Sequence, residues 1–121
     1  MADPVGVWNI NVIGYKGTLN ITSNGAGSLS GTVDIDIGFT DRLQGTWNEA
    51  TKEIRFDRII SRGGSIIVQK YTGYLYLTKE PIFAGQGPPE PNPSFRLLTG
   101  FFESDPASNP PRGGWVARQR I

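Results

Sequence analysis

Short alternations of apolar and polar residues run through most of the chain, with turn residues between them. Trp8, Ile10 and Val12 alternate with Val7, Asn9 and Asn11, and Val33, Ile35 and Ile37 alternate with Thr32, Asp34 and Asp36. A period of two is the signature of a strand with one buried and one wet face. Cutting at the turn signals predicts eight strands, at Gly6–Ile13, Gly17–Ser23, Ser28–Ile37, Arg42–Glu49, Glu53–Ile60, Ser65–Thr78, Phe95–Glu103 and Gly114–Ile121. Most of the links are short and turn-rich, such as Asn24-Gly25-Ala26-Gly27 and Arg62-Gly63-Gly64, and short links imply antiparallel neighbours. A glycine recurs inside these strands at positions 17, 31, 45, 73, 100 and 114, spaced 14, 14, 28, 27 and 14 residues apart. That interval suits one strand plus its turn, and a repeated glycine within strands points to sharp bending or close packing.

The expected fold is therefore all-β: one domain, residues 1–121, forming an eight-stranded antiparallel up-and-down meander barrel. A two-sheet sandwich is the alternative that pattern alone leaves open. Composition agrees, because 16 glycines and 9 prolines in 121 residues leave little room for helices.

The chain has no His and no Cys, which excludes a Ser-His-Asp triad, a cysteine nucleophile, a disulfide and Cys/His zinc sites. No nucleophile–base pair is visible, so no catalytic residue, metal ligand or cofactor is assigned and no enzyme is expected. Asp34 and Asp36 share one face but are too few to hold calcium. The net charge of +1 argues against a nucleic-acid partner. No apolar run is long enough to span a bilayer, and no membrane partner is expected. No leader-like segment follows Met1, which leans toward a cytoplasmic location without fixing it.

The opening Gly6-Val7-Trp8 resembles the Gly-x-Trp start shared by lipocalin, fatty-acid-binding and avidin barrels, the calycin group. Leu29-Ser30-Gly31-Thr32-Val33, Leu43-Gln44-Gly45-Thr46 and Tyr71-Thr72-Gly73 are similar to avidin strands three, four and six. The resemblance implies a barrel with a ligand pocket at one open end. It does not extend to biotin. The avidin tryptophans of strands five and seven are absent from Ile54-Arg55-Phe56-Asp57-Arg58 and Phe95-Arg96-Leu97-Leu98-Thr99. The strand-one Asn falls near Ile10, and Val33 stands where the strand-three Tyr would be.

In a meander, links 1–2, 3–4, 5–6 and 7–8 share one end, the mouth, and the other links share the base with the N-terminus. Trp8 and Trp47 are expected to plug the base. The expected function is non-catalytic binding of a small organic ligand, not biotin, at the mouth, where it would meet Tyr15, Arg58 and Trp115. Arg58 lies on the apolar face of Ile54 and Phe56, so its guanidinium needs a partner, either a ligand carboxylate or a protein group. The Pro-rich link Lys79–Ser94 is expected at the base and not as a lid.

A competing function is an interaction or assembly module with no small ligand. Strands six to eight are apolar on both faces. If Leu75, Leu98, Phe102 and Trp115 point inward, then Tyr74, Tyr76, Leu97, Phe101 and Val116 form an outer patch. That patch predicts a homo-oligomer, either a dimer or a tetramer.

Overall fold

The computed structural model describes residues 3–35, 38–79, 94–105 and 112–120. The strands are β1 (Gly6–Val12), β2 (Tyr15–Gly25), β3 (Ser28–Asp34), β4 (Asp41–Asn48), β5 (Glu53–Arg62), β6 (Ser65–Lys79), β7 (Ser94–Asp105) and β8 (Arg112–Arg120). Each pairs antiparallel with the next, and β1 pairs with β8, so the sheet closes into a barrel in meander order. Closure removes the sandwich alternative. No helix occurs among the described residues. The expected link 79–94 falls almost wholly outside the described residues, and Asp36 and Ile37 do too.

Two hairpins are tighter than the turn residues alone suggested. Ile13 belongs to a two-residue turn and not to β1: Ile13 and Gly14 have φ of 47° and 97°. Positive φ at both positions matches the twist of paired strands. The Asn11 side chain supports the turn by accepting the Gly14 N–H at 2.8 Å. Gly63 and Gly64, at φ 55° and 85°, make the corresponding turn between β5 and β6, so β5 runs on to Arg62.

The periodic glycines face inward, Gly114 excepted. A Cβ on Gly31 would lie 1.8 Å from the Asn20 carbonyl oxygen, and one on Gly100 would lie 1.8 Å from that of Thr72. Gly17, Gly45 and Gly73 likewise abut carbonyls of a neighbouring strand. The glycines thus let adjacent strands coil into a narrow barrel, where any side chain would collide with backbone.

Side chains fill the barrel. Trp8, Leu19, Ile21, Leu29, Leu43, Ile54, Leu98 and Ala117 are buried along its length. In the half toward the mouth, Phe56 stacks on Tyr71 at 4.7 Å and Tyr71 on Phe102 at 5.3 Å, while Trp115 meets Phe56 and Tyr71 edge-on. The Trp115 ring fits because Gly73 is bare: a Cβ there would come within 2.7 Å of the indole. Its N–H donates to the Phe101 and Thr72 carbonyls at 3.1 and 3.3 Å.

At the base, the buried Trp8 donates its indole N–H to the Pro4 carbonyl at 2.9 Å. Arg96 and Gln119 tie the N-terminal segment down. Arg96 donates to the Asp3 and Val5 carbonyls and to the Gln119 side chain, and Gln119 donates to the Val7 carbonyl. These bonds stand in for ladder pairing, which joins β1 to β8 only from Asn9 to Val12.

Candidate functional site

Period-two alternation sends Asp41 of β4, and Arg58 and Arg62 of β5, toward the barrel axis at the mouth. The β4–β5 register sets Leu43 opposite Arg58, which brings Asp41 within reach of the same guanidinium. Arg58 Nε and Nη2 lie 2.8 and 2.7 Å from Asp41 Oδ2, and Arg62 Nη1 lies 2.9 Å from Oδ1. Arg58 Nη1 donates to Gln69 Oε1 at 3.1 Å, and the Tyr71 hydroxyl donates to the same oxygen at 2.8 Å. Arg62 also lies over the Phe39 ring, 3.8 Å from its centroid. Asp41 and Arg58 are 2% and 4% exposed. Burying both ions is tolerable because each is paired and further hydrogen-bonded.

The partner of Arg58 is thus a carboxylate of the protein itself. Nothing in the residues around Asp41 signalled this, since the pair is 17 positions apart and meets only through the β4–β5 register. Gln69, Tyr71 and Arg62 were missed for the same reason. The three mouth candidates do not converge. Trp115 is enclosed in the aromatic cluster and Arg58 in the ion network, while Tyr15 stands at the rim, 67% exposed.

The outer face of β6–β8 has the register that makes a patch. Leu75, Leu98, Phe102 and Trp115 are buried, whereas Phe101 is 60%, Tyr76 52%, Tyr74 43% and Val116 39% exposed, with Leu97 half-buried. Ladder pairing gathers them on one face with threonines between: Tyr76 lies beside Leu97, Tyr74 is separated from Val116 by Thr99, and Phe101 adjoins Thr72. The Tyr74 hydroxyl donates to Glu53 at 3.0 Å, which pushes the phenol pKa up, because ionising it would break that bond and set two anions together. Beside this aromatic ridge, across β8 and β1, runs a groove of about 490 Å3 lined by Asn9, Asn11, Lys16, Leu97, Val116 and Arg118.

Compared with known proteins, the chain matches no family model, no curated protein and no solved structure. Its architecture, a closed eight-stranded antiparallel meander, is consistent with a calycin-like barrel.

Proposed function

We propose that this protein is a non-catalytic assembly module that pairs with a second copy of itself through the outer face of β6–β8. The observation that carries the reading is that Tyr74, Tyr76 and Phe101 stand exposed on one face next to the Val116–Leu97 groove. A ridge and a groove side by side on one face are self-complementary under a twofold axis, each copy's ridge entering the other's groove. Aromatic side chains suit such a contact, since they bury large areas with few rotatable bonds. At about 25 cal/mol per Å2, burying several hundred Å2 offers several kcal/mol before the entropic cost of association is subtracted. The avidin-like resemblance points the same way, because barrels of that kind associate through the corresponding side.

A small-ligand function at the mouth has less support, since the aromatic cluster and the Arg58–Asp41 network occupy that end. Light scattering on the full chain at micromolar concentration tests the proposal. The expected result is a mass of two or more chains, falling to one chain in Phe101→Glu with the fold retained. A stable single-chain species for the unaltered protein would overturn it.

A further inference from the structure

One of the recurrent glycines has no reason to be glycine within its own chain. A Cβ on Gly31, Gly45, Gly73 or Gly100 would sit no more than 2.7 Å from a carbonyl oxygen of the neighbouring strand. Gly114 differs: it lies inside β8, faces outward and is exposed. Among the described residues a Cβ there would meet only the Gly100 carbonyl oxygen, at 3.7 Å, which is ordinary contact. Gly114 has no positive φ that an L side chain would resist. Its ladder partner Phe101 does not shield the bare backbone either: no Phe101 atom comes within 4 Å of that Cβ position, and Phe101 is 60% exposed. Glycine inside a strand costs stability. Where neither packing nor turning requires it, it marks a place where another backbone or a ligand approaches closely.

We propose that Gly114 is the seat for Phe101 of a second copy, an inference that rests on the self-pairing read above and sets its register. The entering side chains stand on β6 and β7, and the receiving groove lies over β8 and β1. A twofold axis in the contact plane exchanges these two sides when it runs between β7 and β8, parallel to both. Each β7 residue then faces, on the second copy, the β8 residue that is its own ladder partner. Phe101 faces Gly114, Thr99 faces Val116 and Glu103 faces Arg112.

The facing groups match in kind. A phenyl ring meets bare backbone, a methyl meets a methyl, and an exposed acid meets an exposed guanidinium. The charges are sorted by side: β1, β2 and β8 contain no Asp or Glu, while Lys16, Arg112 and Arg118 stand on them. The axis brings Glu103 to this cationic side of the second copy. It also lays the row Tyr74, Thr99, Val116, Asn11 head to tail on its counterpart, which sets Tyr74 against Asn11. The Tyr74 O–H is donated to Glu53, leaving its oxygen to accept. Asn11 Oδ1 accepts the Gly14 N–H, leaving its amide N–H groups to donate. A different protein would have to reproduce each of these matches, whereas a second copy has them by symmetry.

Sedimentation equilibrium of the full chain over a dilution series tests it. Gly114→Thr should weaken pairing at least about tenfold, because a branched side chain fills the seat. The same variant should melt no lower than the unaltered protein when both are dilute enough to be single chains, since the side chain has room and suits a strand. A glycine needed by the barrel itself would instead lower the melting temperature. A second measurement reads the register without touching the seat. The chain has no cysteine, so Thr99→Cys mixed with Val116→Cys should oxidise to a linked pair of chains. Thr99→Cys mixed with Arg112→Cys should link far more slowly, because that position lies about 13 Å further along β8. Pairing of Gly114→Thr as tight as that of the unaltered chain, or equal linking in the two mixtures, would overturn the seat and leave self-pairing standing. A single-chain mass for the unaltered protein would overturn the self-pairing and this inference with it.

Discussion

The two ends of the barrel are closed by different physics. The base is closed by bulk and by hydrogen bonds to backbone: Trp8 is fully buried with its N–H on a backbone carbonyl, and the Arg96 guanidinium drapes over its ring, 5.0 Å from the centroid, while donating to backbone carbonyls. The mouth is closed by charge, with one carboxylate holding two guanidiniums in a largely apolar tube. A buried tryptophan loses contact area when it is altered. A buried ion loses its counter-charge, and the partner left behind is then the greater penalty. Stability at the mouth should accordingly depend on keeping the network whole, and at the base on keeping the volume filled.

The sharpest way to break this contrast is Asp41→Ala. It strands Arg58 in the interior and should cost about 3–5 kcal/mol in urea unfolding. Asp41→Leu combined with Arg58→Met removes the two buried ions and leaves Arg62, whose side chain is 28% exposed, to water, and by the same reasoning should recover most of that loss. A double variant as unstable as the single one would show that the network contributes more than mutual neutralisation.

At the base, Arg96→Met keeps the aliphatic packing on Trp8 and loses the hydrogen bonds and the cation–π contact of a partly exposed guanidinium. The expected cost is about 1–2 kcal/mol by the same measurement. Burial also pulls the Arg96 pKa down, with Asp3 opposing, and neither effect brings it near neutrality.

Trp47 gives a still smaller effect. It packs against the core, and its buried Nε1 has no hydrogen-bond partner among the described residues. Trp47→Phe trades lost area against removal of an unsatisfied donor, so thermal unfolding should shift by no more than about 1 kcal/mol either way.

The smallest effect belongs to Tyr74→Phe on the outer face. Its pKa is raised by Glu53, so the hydroxyl's contribution is complete below the unfolded phenol value of about 10 and is lost as pH rises through the higher folded value. Melting curves of the two proteins should differ slightly at neutral pH and converge in strong alkali.

Much of this architecture could be read before any coordinates. Alternation at Trp8–Val12 and the recurrent glycine each depend on neighbours a few residues apart, and local sterics enforce both wherever the strand lies. The inward register of Leu75, Leu98, Phe102 and Trp115 was legible only as a condition. Both faces of those strands are apolar, and the bare Gly73 that admits the Trp115 ring is on another strand.

The mouth lay beyond such reading. Arg58 could be seen to need a partner, but Asp41 and Gln69 reach it from β4 and β6 through pairings that exist only once the sheet has closed. Short-range periodicity specifies strands, turns and buried faces. Which side chains meet depends on the relative registers of strands distant in the chain.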